Sequence, residues 1–175
     1  MKKRTIIAIL GVLVVIIGIT AYLNLEGLAE KQELAEEARF MVTFGDGERN
    51  ITFEMADIRE LGEIEFTAIL RGGGRPGREY TFTGVPLRNL LAEIDDVNLA
   101  DVDMFVVRSV DGFTVAFTYA EIMAEDNVYI VYKRNGEPLG IRAERGTGPY
   151  RIVVRQDPFA MRWARYAVEL ELKMK

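Results

Sequence analysis

An uncharged apolar run, Thr5 to Leu23 (TIIAILGVLVVIIGITAYL), opens the chain, and after Arg39 the apolar positions recur with strand or helix periods nearly to the end. The run is long enough, as a helix, to cross a hydrocarbon layer of roughly 30 Å. Lys2, Lys3 and Arg4 precede it. Positive flanks stay cytoplasmic, so residues 1–23 are predicted to form a single-pass anchor with the N-terminus inside and the rest of the chain extracytoplasmic. A cleaved signal peptide is the rival reading. Its apolar core is usually only about 7 to 15 residues long and is closely followed by a small-x-small site. Here Ala21 has Ile19 two positions before it and Gly27/Ala29 lies well beyond the run, which favours the uncleaved anchor. Residues 24–39 (NLEGLAEKQELAEEAR) are rich in Glu, Ala and Leu and predict a helical stalk, with a short dimerising coil as the alternative.

Residues 40–175 carry the patterns of one domain. Phe40 to Phe44 and Asn50 to Glu54 flank Gly45-Asp46-Gly47, a hairpin signature. Ile64 to Leu70 alternates as a strand, after which RGGGRPGR reads as a break in regular structure before Tyr80 to Thr83. Pro86 fits a first helical turn, and Leu87, Leu90, Leu91 and Ile94 then share a helical face. DMFVVRSV, turned by Asp111-Gly112 into FTVAFT, predicts a hairpin, YAEIMAED a helix, and Asn127 to Lys133 a strand. Asn135 to Leu139 reads as a turn, Tyr150 to Val154 as a central strand, and Trp163 to Lys173 as a closing strand. The expectation is α+β: a mixed, strand-rich fold with a few short helices, preceded by one transmembrane helix.

Composition narrows the chemistry. Apolar residues make up 49% and charged residues 28% of 175, the balance of a chain that packs a core. The net charge is −5; without Lys2, Lys3 and Arg4 the remainder holds 19 basic against 27 acidic residues, a surface that repels phosphate backbones, so nucleic acid is not an expected partner. The sequence has no cysteine and no histidine. Thiolate nucleophiles, imidazole bases, a lipid-modified cysteine and nearly every zinc site are thereby excluded. No residue is assigned to catalysis or to a metal. Asp95/Asp96 and Asp101/Asp103 lack the ligand ladder of a calcium loop and read as a solvated turn.

Basic residues mark two candidate anion sites. Gly72, Gly73 and Gly74 sit among Arg71, Arg75 and Arg78, a density of guanidinium and exposed backbone amide that suits a phosphate, although the spacing is not that of a P-loop and the alternative is a hairpin loop without a ligand. Near the C-terminus Arg162-Trp163 and Arg165-Tyr166 alternate basic and aromatic side chains, which either face an anion or form a strand with its aromatics in the core.

In order along the chain, TFTGVPLRNLLAEI, SVDGFTVAFTYAEI, YKRNGEPLG, GPYRIVVRQDP and RWARYAVELEL resemble the molybdopterin-binding domain of sulfite-oxidase-like oxidoreductases in the short form found in bacteria, over roughly residues 40–172. The resemblance implies that fold, and molybdopterin as the cofactor it would hold. It also implies a molybdenum-ligating cysteine at the end of an early strand, corresponding here to Ile69 to Gly74, where Arg71 stands in the cysteine position, and a histidine contact to the pterin that this chain does not have. The basic-aromatic pair that the family sets beside the pterin phosphate matches Arg162-Trp163 and Arg165-Tyr166. The cofactor-binding candidates are therefore Arg71, Gly72, Gly73, Gly74, Arg75, Arg162, Trp163 and Arg165. The residues by themselves call for no cofactor; the resemblance allows molybdopterin. Two functions follow: a membrane-anchored, non-catalytic domain that binds a small anionic ligand or a partner protein of a membrane complex, or an oxidoreductase or electron-transfer component that holds molybdopterin without a cysteine.

Overall fold

The computed structural model describes residues 9–23, 38–45, 47, 49–72, 74–95 and 97–175, without the side chain of Arg75. The chain divides into two units, Met1–Glu33 and Leu34–Lys175. In the first, residues 9–23 are helical with Ile9, Leu13, Val14 and Ile17 exposed. Among the described residues no helix is long and apolar enough to cross a membrane. The predicted anchor begins in residues 1–8, and the predicted stalk, residues 24–39, lies over 24–37; both of these segments are outside the described residues, while Arg39 at the end of the predicted stalk already begins the first strand.

Among its described residues the second unit is built on ten strands and three short α-helices. β1 (Arg39–Phe44) and β2 (Arg49–Glu54) form the predicted hairpin, with Phe40, Val42 and Phe44 alternating into the core. α1 (Met55–Glu60), unassigned in the sequence reading, is a single capped turn: Glu54 and Asp57 form a capping box and Met55 and Ile58 are buried. β3 (Ile64–Gly72) pairs antiparallel with β4 (Arg75–Pro86) from Ile64↔Gly84 to Gly72↔Arg75. The expected break at RGGGRPGR is thus replaced by a hairpin whose register shifts between Leu70 and Gly72. Gly74, at φ +69°, supplies the left-handed turn, and a Cβ at Gly77 would stand 2.7 Å from Ile69 Cγ2 and 2.9 Å from Arg71 Cγ, so glycine here lets the opposite strand's side chains cross over it.

α2 (Leu87–Ala92) follows Pro86 directly, and Leu87, Leu90, Leu91 and Ile94 are all buried, as their spacing predicts. β5 (Val102–Ser109) and β6 (Thr114–Phe117) form a hairpin, and α3 (Tyr119–Met123) starts from a capping box between Thr118 and Glu121. β7 (Val128–Arg134) turns through Asn135 and Gly136, both at positive φ, into the short β8 (Glu137–Pro138), the twist a two-residue hairpin requires. β9 (Tyr150–Val154) is buried throughout.

β10 (Arg165–Met174) organises the sheet. Ala167 pairs with both Tyr150 of β9 and Ser109 of β5, so those strands lie on its opposite edges. β5 runs along one edge to the end, while on the other β9 gives way to β1, which is parallel to Met41↔Glu169 through Phe44↔Leu172. The main strand path is β2-β1-β10-β9-β7-β4-β3.

Candidate functional site

Four of these strands each deliver one arginine to a single open cleft of about 540 Å³. Arg71 comes from the end of β3, Arg134 from the end of β7, Arg151 from β9 and Arg165 from the start of β10. Register explains part of the convergence, since Arg151 stands opposite Arg165 on one side and Val131 on the other. Trp163, buried to 5% exposure, lies in the wall; its indole N–H donates to the Val154 carbonyl at 2.9 Å and its ring packs edge-on against Phe82 at 5.8 Å, which fixes it rigidly to the core. Leu70, Gly72, Asp111, Phe113, Thr147, Ala160 and Met161 complete the lining.

Four arginines face one carboxylate, Asp111, on the lining. Among the described residues no carboxylate pairs with Arg71, Arg134, Arg151 or Arg165, whereas Arg155 is paired with Asp126 and Arg108 with Glu171. Arg151 is the extreme case. It is 6% exposed, and its Nε has no hydrogen-bond partner. Its guanidinium lies 5.5 Å from the Trp163 ring centroid. Burial, followed by the nearby charges of Arg165 and Arg134, lowers its pKa to about 10. The buried Thr147 Oγ1, also on the lining, is likewise without a partner. A buried cation with cationic neighbours and unsatisfied donors around an open cavity is an arrangement that an anion would complete.

Of the sequence candidates, the structure brings Arg71, Gly72, Trp163 and Arg165 into this cleft. Gly74 stands at the β3–β4 turn; Gly73 and the Arg75 side chain lie outside the described residues. Arg162 corrects the expectation of an anion ligand. Its Nε and Nη2 donate to both oxygens of Asp157 at 2.8 and 2.5 Å, and its Nη1 donates to Glu121 at 2.7 Å, with the guanidinium 5.2 Å from the Phe117 ring centroid. Two carboxylates already neutralise it and push its pKa up, led by the Asp157 hydrogen bonds. Instead of facing the cleft, Arg162 ties the 3-10 turn Ala160–Arg162, which contributes Ala160 and Met161 to the lining, to the start of α3.

Sequence reasoning missed Arg134, Arg151 and Thr147. Arg151 carried one signal, a lone charge inside the apolar run YRIVV, where a core strand tolerates arginine only with a special environment.

For molybdopterin the fit divides. The cleft suits the cofactor's phosphate, but the chain has no cysteine to bind the metal, and among the described residues no group of three or more His, Cys, Asp or Glu could hold a metal ion.

Residues 29–175 match the family described as "Oxidoreductase molybdopterin binding domain". Among solved structures, the chain is similar to the crystal structure of the sulfane dehydrogenase SoxCD from Paracoccus pantotrophus, with a TM-score of 0.61 and 21% identity, over 81% of this chain and 39% of that one. The chain therefore spans about two fifths of that protein's length. No curated protein sequence matches it.

Proposed function

The chain belongs to the oxidoreductase molybdopterin-binding domain family, and from that premise we propose that it is a binding member of the family, whose arginine cleft holds a phosphate-bearing ligand of the molybdopterin class without a bond from protein to metal. The observation that carries this is Arg151, buried beside Arg134 and Arg165 with an unsatisfied Nε and no carboxylate. Guanidinium forks pair bidentately with phosphate oxygens, and Arg71, Arg134, Arg151 and Arg165 would share that work, with Thr147 as a neutral donor. Molybdopterin, when bound, brings its own redox chemistry. The chain's own residues would bind and orient the ligand; the one carboxylate among the described lining residues is Asp111, and the chain has no thiolate to offer. The apolar run behind Lys2, Lys3 and Arg4 supports attachment to a membrane with the domain outside, where a membrane-complex partner would meet it.

Calorimetric titration of the full chain with inorganic pyrophosphate tests the anion site. We expect saturable binding that weakens as salt is raised and falls at least tenfold when Arg134 and Arg165 are both replaced by alanine, with melting still cooperative. Absence of binding at low salt would refute the anion site. Metal analysis of protein from its native host tests the absence of a metal bond: stoichiometric molybdenum together with sulfite or sulfoxide turnover would instead establish an oxidoreductase.

A further inference from the structure

Tyr166 is the one residue of β10 with a left-handed backbone, φ +59°, a conformation that costs an ordinary L-residue energy and persists only where its surroundings impose it. It is also the extra residue of a bulge: Arg165 pairs with Arg151 and Ala167 pairs with Tyr150, so two steps along β10 match one step along β9. The consequence for side-chain direction is specific. Arg151 and Tyr150 are neighbours on a strand and point to opposite faces, and paired residues share a face. Arg165 and Ala167 must then point to opposite faces as well, although an uninterrupted strand would put residues two apart on the same one. Arg165 joins Arg151 in the cleft while Ala167 is fully buried beside the fully buried Tyr150. Without the bulge the Arg165 side chain would be directed to the core side.

The same backbone joins the two cleft walls. The Tyr166 N–H donates to the Thr147 carbonyl at 3.3 Å, and the Tyr166 carbonyl accepts from the Val110 N–H at 3.0 Å, one residue before the cleft-lining Asp111. Its hydroxyl adds a bond to the Gly146 carbonyl at 3.0 Å.

We infer that Tyr166 is a positioning residue for the anion site: its left-handed backbone turns Arg165 into the cleft and sets the Thr147 and Asp111 walls around it. The inference rests on the proposed anion site but makes its own demand: it assigns the placement to the backbone, even though the Tyr166 ring also lies 5.9 Å from the Arg165 guanidinium. Tyr166→Gly and Tyr166→Asn, which tolerate positive φ, keep the bulge; Tyr166→Val, β-branched, opposes it. In pyrophosphate titrations of the full chain, the glycine and asparagine variants should bind within about threefold of wild type. The valine variant should lose at least tenfold and show a shallower salt dependence, because one guanidinium has left the site. If the valine variant does not fold, the other two decide: tenfold loss in both would overturn the inference, as would wild-type affinity in a folded valine variant. Wild-type protein that ignores pyrophosphate refutes the anion site itself. The placement of Arg165 is then read without ligand by mapping its modification with phenylglyoxal, which should proceed at the wild-type rate in the glycine and asparagine variants; protection of Arg165 in both would overturn the inference.

Discussion

Replacing Arg151 by methionine should make the protein more stable and less able to bind anions. A guanidinium whose pKa burial lowers to about 10 has lost roughly 3 kcal/mol of preference for its charged form. Because the folded-state value lies below the unfolded one, this is a cost to folding: it is present in full at every pH below about 10 and fades as pH rises above that. Methionine keeps the length and apolar stem of the side chain and removes the charge. It also gives up the contact with the Trp163 ring, which is worth about 1 kcal/mol. A net gain of about 1 to 2 kcal/mol remains, equivalent to a rise of roughly 3 to 7 °C in melting temperature for a unit of this size. Thermal melts followed by circular dichroism at low salt, at pH 6 and again at pH 9, should show the same gain at both. The variant should also lose at least tenfold in pyrophosphate affinity, and pyrophosphate should narrow the gap by stabilising wild type alone. A variant that melts at or below wild type, or that binds pyrophosphate unchanged, would show that Arg151 is satisfied in the empty protein and that the cleft was misread.

Leu91→Ala should cost roughly 2 to 5 kcal/mol in chemical denaturation, because Leu91 is fully buried in α2; a loss below about 0.5 kcal/mol would mean that this face does not pack. Glu121 answers to acid. Burial alone would raise its pKa, but the hydrogen bonds from Thr118 and Arg162 prevail and lower it, so it adds stability above pH 4.5 that disappears as pH falls through its folded value. Glu121→Gln should therefore destabilise at pH 7 and flatten the acid limb of the stability profile, and an unchanged limb below pH 4.5 would show that the Glu121 hydrogen bonds with Thr118 and Arg162 do not stabilise the fold. Mass spectrometry of the mature N-terminus should recover peptides from residues 1 to 23, whereas a protein beginning at Tyr22 or Glu30 would be a cleaved one.

The elements were legible wherever local chemistry dictated them. Leu87, Leu90, Leu91 and Ile94 announce a buried helix face, Asn135-Gly136 announces a hairpin turn, and the order of such segments carried the family resemblance. RGGGRPGR misled because glycine reads as a breaker, while here Gly74 makes a tight turn and Gly77 gives room to the side chain of Arg71 across the ladder. Arg162 and Arg165 looked equivalent on the page. What separates them is tertiary: Asp157 and Glu121 neutralise the first, and a bulge turns the second into the cleft. Arg134 and Arg151 were hidden for the same reason, since nothing local says that residues 71, 134, 151 and 165 meet.

The place of β10 in the sheet has a consequence for how the protein is made. This strand, residues 165–174, bridges β1, β5 and β9, so the N-terminal hairpin has no partner across the sheet until the last of these strands has been synthesised. Pairing of Met41 with Glu169 closes a loop of more than a hundred residues, the kind of long-range contact that slows folding and postpones it until translation of the domain is nearly finished. Until β10 is made, β9, β7, β4 and β3 have one another as partners, whereas the β1–β2 and β5–β6 hairpins have no strand to dock on.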